Sequence, residues 1–452
     1  MCLMVTVHAG VDDTDSPRAG CTTYVASLLV EKLHALGVSF VDYPNLVRLN
    51  PNVPWKTRGN GALCLRFKCD EEQVEEAKQI AVGTVEEYSD LDYDGTEPGV
   101  VFFLGKTIPH ELADFAQQAV QGIVRMKDAM RLIKAFKAEA VGFKTARGII
   151  GALAAIGGTL RGDHTYELIA YRTLSNRGTP RRLDSASVFK MNNEMKCSTF
   201  NNVDSETGRI LITPHGPDPI LYGIRGQTAN IVMRAQKMVT SLEPVERWTI
   251  FRTNQGTDAH LRRVNSVLDA QPFHPVMLTG KVSEAPSIVP RRHVVFAISD
   301  EKGQIACAAY EPTGDLRKIA KQLLIGDVVE VYGGVRPASK KLPLTVNLEK
   351  LRILELAPKT VFQNPFCPQC GRRLKSMGSG KGFRCDKCGF RSLGLKKLVV
   401  DEKRGVRKGL YVTSPRSQRH LAKPLSRYGL EKSGQPKRMI MNWFWIDGKE
   451  LH

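Results

Sequence analysis

A multidomain α+β protein is predicted, on three observations. At 452 residues the chain exceeds what one hydrophobic core serves, and on the usual size of a domain it divides into roughly three to four. Residues 276–355 carry five strand-like segments with one helical segment between the third and fourth, the order of an OB-fold barrel. Near the C-terminus, four cysteines fall into two Cys-x-x-Cys pairs with the spacing of a zinc ribbon.

The elements follow in chain order. Residues 5–11 form a β-rich run, the polar loop 12–22 follows, and an apolar-periodic helix covers 24–36. Residues 62–67 alternate like a strand, 71–80 read as a helix, 99–104 as a buried strand and 110–138 as one long helical region, with a boundary near Glu139. A second module, 140–265, opens with a Gly-rich turn and helix at 148–158. It continues through a strand at 165–172, a polar loop, a strand at 209–214, a turn at 222–226 and a helix at 227–242, the content of a small α+β sandwich. The third, 272–357, carries strands at 276–283, 293–299, 305–310, 328–335 and 344–355 and a helix at 315–324. That order fits an OB-fold, with another small barrel as the alternative. The remainder, 360–452, holds the cysteine pairs and a basic region.

Charge separates this last region from the rest. The formal net charge is +19, and 21 basic against six acidic residues beyond Thr360 account for 15 of it, so the polyanion-binding character is expected to sit in a detachable C-terminal grip. No segment approaches the roughly 20 apolar residues that cross a bilayer. Asp12, Asp13 and Asp15 interrupt the N-terminus where a secretory signal would be apolar. Six scattered cysteines fit a reducing compartment, and the expectation is a cytoplasmic protein without a membrane or an obligatory protein partner.

Two local motifs carry chemistry. Cys367-x-x-Cys370 and Cys385-x-x-Cys388 supply four thiolates for a tetrahedral Zn²⁺, Gly371 and Gly389 permit the knuckle turns, and full cysteine ligation makes the metal structural. Arg372, Arg373, Lys375, Arg384 and Lys387 interleave with the knuckles and are candidates for RNA phosphate contacts, a solvated basic face being the alternative. At the other end, Asp12, Asp13 and Asp15 close a strand. Three carboxylates in four residues repel unless a cation neutralises them, and hard oxygen ligands select Mg²⁺. Thr22 and Thr23 stand at the following helix start, where free N–H groups attract phosphate; simple capping of that helix is the alternative. Neither a GxxxxGK[ST] loop nor the protein-kinase signatures occur, so a phosphotransferase here is of an unusual kind.

Longer motifs bring a resemblance. Val11-Asp12-Asp13-Thr14-Asp15-Ser16, Arg48-Leu49-Asn50-Pro51, Lys56-Thr57-Arg58-Gly59-Asn60-Gly61-Ala62, Glu167-Leu168-Ile169-Ala170-Tyr171-Arg172, Asn202-Val203-Asp204, Tyr222-Gly223-Ile224-Arg225-Gly226, Thr257-Asp258 and Arg419-His420-Leu421 resemble the archaeal TiaS family. Members of that family make 2-agmatinylcytidine at the wobble position of an isoleucine tRNA with the anticodon CAU. The resemblance implies an unusual α/β kinase domain, a ferredoxin-like domain, an OB-fold and a zinc ribbon. It implies ATP, Mg²⁺ and Zn²⁺ as cofactors and the tRNA and agmatine as partners. It also implies phosphorylation of the cytidine C2 oxygen before agmatine displaces phosphate, and an autophosphorylated threonine at Thr22. His8-Ala9 replaces more apolar residues before the loop, and the tail beyond Lys396 is longer and more basic than expected.

On this reading Asp12, Asp13 and Asp15 hold Mg²⁺, and Arg58, Asn60, Gly61 and Thr23 cradle phosphate, a plain turn at 58–61 being the alternative. Agmatine's guanidinium calls for a carboxylate, with Glu167, Asp204 and Asp258 as candidates, and Arg419 joins the RNA-binding set. Two rivals stand beside it: a non-catalytic RNA-binding scaffold, and a metal-dependent phosphohydrolase acting on RNA.

Overall fold

The computed structural model describes residues 3–340 and 342–449. Strand β1 (Met4–Asp12) is buried on both faces from Thr6 to Val11 and lies between two antiparallel neighbours. The chain continues through α1 (Thr22–Ala35), β2 (Ser39–Phe40), β3 (Asn45–Arg48), β4 (Gly61–Asp70), α2 (Val74–Tyr88), β5 (Gly99–Leu104), α3 (His110–Gln121), α4 (Met126–Ala135), β6 (Glu139–Gly142) and α5 (Gly148–Gly157). Then come β7 (Thr165–Arg172), α6 (Ser185–Met195), β8 (Thr199–Phe200), β9 (Ile220–Gly226), α7 (Ala229–Gln236) and β10 (Val245–Thr253). All ten strands join one eleven-stranded sheet in the order β6-β5-β1-β4-β3-β10-β7-β9-β8, with β2 on β4 and Phe444–Ile446 on β10.

The seam of that sheet is the short parallel pairing of β3 with β10, Asn45 opposite Arg252 and Leu46 opposite Thr253. Two side chains extend it. Asn254 accepts from the Arg48 N–H at 2.8 Å and donates to the Arg48 carbonyl at 2.9 Å, standing in for one more strand residue. Arg252, fully buried, donates to both Asp42 carboxylate oxygens, so the charge is paired where it is desolvated.

Several elements differ from the sequence expectation. The boundary near Glu139 does not break the structure: β6 pairs with β5, and α5 packs on β1, β4 and β5. The helical region 110–138 is two helices, interrupted at the extended Gly122. Residues 209–214 form only a bridge, Val203 with Ile210, whereas 220–226 is strand β9 rather than a turn. Strands β3 and β10 and helix α6 have no counterpart in the sequence reading.

The third module is a closed barrel of β12 (Pro275–Val289), β13 (His293–Ser299), β14 (Gln304–Ala309), β15 (Val328–Arg336) and β16 (Thr345–Glu355), with β11 (Arg262–Arg263) at its edge and α8 (Asp315–Ala320) between β14 and β15. β15 pairs with both β16 and β12, which closes the ring, and Leu278, Phe296, Ile298, Val331 and Leu351 fill it. The OB-fold expectation holds.

Beyond the barrel the chain forms the ribbon and then turns back. Gly409–Val412 pairs with β16, and residues 413–443 run as a strap across the large sheet. Phe444–Ile446 pairs with β10, and Trp443, Phe444 and Ile446 enter the main core. Arg427, fully buried, donates to Asp163 and to the Gly256 carbonyl. Residues 360–452 are therefore not a detachable grip.

Phe444→Ala is accordingly expected to destabilise the catalytic half by about 3 kcal/mol, the usual scale for deleting a buried aromatic, seen as a lower midpoint in urea unfolding. A chain ending at Thr360 is expected to lose ATP turnover together with tRNA affinity. Undiminished turnover in that truncated chain would contradict the placement of the strap.

Candidate active site and zinc centre

The first strand delivers Asp12 to the foot of α5, and the fit is close. A Cβ on Gly151 would stand 1.8 Å from Asp12 Oδ2, and one on Gly148 would stand 2.4 Å from the Gly99 amide, so only glycine lets this helix reach the strand ends. Asp13 then takes φ 60°, turning the chain through the left-handed region that aspartate tolerates. Burial raises the proton affinity of Asp12 well above the ordinary carboxylate range, and the neighbouring charges of Asp13 and Asp15 add to it. Asp13 is also raised by burial, opposed by Arg147, whose guanidinium lies 3.1 Å away. Asp15 accepts from Arg58 Nε at 2.6 Å, and Arg58 also donates to the Gly20 carbonyl and to Asp218.

Two helix N-termini open onto this loop. The N-terminus of α5 already has Asp12 beside Gly151 and its opening amides bonded to the Glu97, Ala146 and Arg147 carbonyls. Cys21 at the start of α1, by contrast, makes no side-chain capping bond and the first turn of α1 holds no acidic residue, so the positive end of its dipole is uncompensated. Thr22 is in that first turn, its hydroxyl 3.1 Å from that of Thr14, and the Thr23 hydroxyl lies 3.0 Å from Cys21 Sγ. These groups surround a cavity of about 790 Å³ between the two halves of the sheet. Asp12, Asp13, Asp15, Thr22 and Thr23 line it. Arg58, Asn60 and Gly61 line it from the opposite loop, although the Asn60 side chain is already occupied by the Asn50 carbonyl at 2.7 Å.

Of the three carboxylates considered for agmatine, Glu167 alone borders the cavity, and its two oxygens already accept from Arg225 and Gln255. Asp204 is buried and held by Arg416 at 2.7 Å. Asp258 is bound by Lys350 and by the Lys423 N–H. Neither borders the cavity. Sequence reasoning assigned no role to Arg48, Arg147, Asp218, Arg225, Gln255 or His420, all but Gln255 in the cavity lining. Arg48, Arg225 and His420 stand inside the long motifs quoted above and Arg147 directly precedes the Gly-rich helix; Asp218 and Gln255 carried no signal.

The cysteine quartet closes as its spacing requires. The four sulfur atoms of Cys367, Cys370, Cys385 and Cys388 lie within 4.8 Å of one another, with Gly371 and Gly389 at φ 67° and 74° in the knuckle turns. Among the described residues this is the one such gathering of metal-ligating side chains; the aspartates are splayed towards Arg147 and Arg58 instead. Arg372, Arg373, Lys375, Arg384 and Lys387 are exposed on the ribbon, Lys375 and Arg384 sharing Asp386. Arg419 is not with them: it lies on the strap, half-buried, bonded to Asn52 and 3.6 Å from Glu349.

Comparison with known proteins covers the same ground. Residues 8–74 match the TiaS TCKD domain, 146–260 the TiaS FLD domain, 276–354 an OB-fold nucleic acid binding domain and 364–405 the TiaS C-terminal zinc ribbon domain. The 2-agmatinylcytidine synthetase TiaS of Staphylothermus marinus, named for the isoleucine-2 tRNA, is 42% identical over 98% of this chain and 99% of its own. That of Pyrococcus horikoshii is 42% identical over 93% and 96%. A crystal structure of TiaS in complex with isoleucine-2 tRNA and ATP superposes with TM-score 0.84 at 39% identity, over 94% of this chain and 97% of the other. One with the same tRNA, AMPCPP and agmatine gives 0.80 at 36%, over the same shares.

Gly151→Ala is expected to lower turnover at least roughly 100-fold while tRNA affinity stays within a few fold, because the added methyl displaces Asp12 and not the RNA-holding surfaces. Near-normal turnover would refute the contact. Metal analysis is expected to find one Zn²⁺ per chain. Cys385→Ser should lose it and melt the ribbon without lowering the melting temperature of the catalytic half. A zinc-free wild-type protein with an ordered ribbon would contradict this.

Proposed function

This chain belongs to the TiaS family, and from that premise we propose a phosphoryl-transfer route for its reaction. It is an ATP-dependent tRNA-modifying synthetase that joins agmatine to a cytidine of the isoleucine-2 tRNA, forming 2-agmatinylcytidine. The C2 carbonyl of cytosine is a poor electrophile and oxide a poor leaving group. Phosphorylation of that oxygen by ATP supplies a leaving group, and agmatine's primary amine then attacks C2 and releases phosphate.

One observation carries this reading: the aspartate loop and the first turns of α1 and α5 face one cavity. The α1 dipole and the free Thr22 and Thr23 N–H groups suit ATP phosphates, and the Thr23 hydroxyl, Arg58 and Gly61 complete the cradle. Mg²⁺ fits the donor set, since Asp12 and Asp13 are carboxylates whose charge is disfavoured by burial and repulsion until a cation arrives. When bound, the metal neutralises charge on the transferring phosphoryl group. Arg147 and Arg58 pair with Asp13 and Asp15, the carboxylates that would hold the metal, and both guanidiniums line the cavity where phosphate oxygens would lie. Thr22, in the same cavity, is the residue whose hydroxyl accepts the γ-phosphoryl group of ATP in self-phosphorylation, with ADP as the leaving group. The tRNA is then held by the ribbon's basic face and the OB barrel, in the cytoplasm, with the wobble base turned into the cavity.

Incubation with Mg²⁺ and γ-labelled ATP in the absence of RNA tests this. The protein is expected to become labelled at Thr22, and Thr22→Ala to lose the label. A scaffold would leave ATP intact, a hydrolase would release phosphate only, and label on Thr14 or Ser16 would refute the residue. Asp12→Asn is expected to abolish tRNA modification and leave tRNA affinity within a few fold; full activity would remove the aspartates from the mechanism.

A further inference from the structure

A chain of hydrogen bonds in the cavity wall fixes the state of one histidine. Glu167 can only accept, so Gln255 must turn its amide nitrogen towards it, which leaves the Gln255 oxygen facing His420 Nδ1 at 3.1 Å. That oxygen can only accept in turn, so His420 carries its proton on Nδ1 and presents Nε2 to the cavity as a bare acceptor. Arg48 above all, then burial, Arg225 and Lys56 disfavour a second proton on the ring.

Arg48 beside it is the complement. Its Nε is buried without a partner, and among the described residues its guanidinium makes neither a hydrogen bond nor an ion pair within the protein, although it lines the cavity. A Cβ on Gly59 would stand 2.6 Å from Arg48 Nη1 and 3.2 Å from His420 Nε2, so the two nitrogens are no more than about 6 Å apart, with only a glycine between them. Unfilled donors and one bare acceptor thus stand side by side. A cationic amine is repelled there by Arg48, Arg225 and Lys56, which leaves a neutral N–H donor next to paired acceptors. Cytosine has that edge: an exocyclic amine at N4, then acceptors at N3 and O2. Uracil inverts the first two, and adenine lacks the second acceptor.

We propose that Arg48 and His420 read the Watson–Crick edge of the wobble cytosine, Arg48 donating to N3 and O2 and His420 Nε2 accepting from the N4 amine. Gln255 and Glu167 are positioning residues that hold the imidazole in the tautomer this requires. The assignment rests on cytidine being the nucleoside modified and not on phosphorylation of its oxygen.

The test uses the full chain and isoleucine-2 tRNA transcripts that carry cytidine, uridine or pyrimidin-2-one ribonucleoside, which lacks the exocyclic amine, at the wobble position. Competition binding at one fixed salt concentration gives the affinities. Wild-type protein is expected to bind the uridine and pyrimidinone transcripts roughly 10- to 100-fold more weakly than the cytidine one, the scale of a lost base-edge contact. In His420→Ala the cytidine and pyrimidinone transcripts should bind alike, with the KM for ATP unchanged. Equal wild-type affinity for cytidine and pyrimidinone would overturn the proposal without need of any variant. So would a His420→Ala protein that keeps the preference, or one in which only the KM for ATP rises, which would put adenine's amine at Nε2. None of these results bears on Thr22 labelling, so this proposal and the phosphoryl-transfer route fail separately.

Discussion

Helix α5 lies against the ends of β1 and β5 so closely that Gly148 and Gly151 have no room for a side chain, and this contact is what places the aspartates. Gly10 completes it from the strand, where a Cβ would meet the Ala152 carbonyl at 2.1 Å. The helix starts a segment that matches the FLD domain, yet it packs on strands of the segment that matches the TCKD domain. The two halves therefore share the active site by packing as well as by the β3–β10 seam. The strap adds a third tie from the far end of the chain, its Pro415, Arg416, Gln418 and His420 lining the same cavity.

Charge in this cavity is arranged in two territories. On the α5 side, buried carboxylates outnumber the cations that touch them, a surplus that a divalent metal relieves. On the Gly59 side, Arg48, Arg225 and Lys56 outnumber the carboxylates that oppose them, Glu167 first and then Asp15, which favours anionic or neutral groups and repels cations. ATP with its metal belongs to the first territory and a nucleobase with its phosphodiester to the second. The reacting oxygen has to lie where they meet.

What could be read in advance follows from how local each signal is. The zinc ligands were legible because four thiolates and two knuckle glycines are set by spacing within 23 residues, Cys367 to Gly389, and the barrel because its strands alternate in sequence order. Strands β3 and β10 escaped notice because each is a short or plain segment whose strand character comes from a partner about 200 residues away. The basic tail misled for a physical reason: Arg416, Lys423 and Arg427 are taken up by Asp204, Asp163 and Glu431 inside the protein, so part of the charge surplus holds the fold instead of RNA. Asp204 and Asp258 looked like ligand carboxylates within their motifs, but each serves a basic partner far away in sequence, Arg416 and Lys350. In residues 413–443 the motif Arg419-His420-Leu421 marks the segment as belonging to the family, but no local pattern there says that it returns to the site.

The proposed route turns on the cytidine C2 oxygen leaving as phosphate. An isoleucine-2 tRNA transcript carrying ¹⁸O at C2 of the wobble cytidine, turned over with ATP and agmatine, reports the fate of that atom by mass spectrometry of the small products. Inorganic phosphate bearing the ¹⁸O is the expected result. Label found in AMP would mean adenylylation of the base, and label found only in water would mean that agmatine displaces the oxygen without phosphorylation; either would contradict the mechanism.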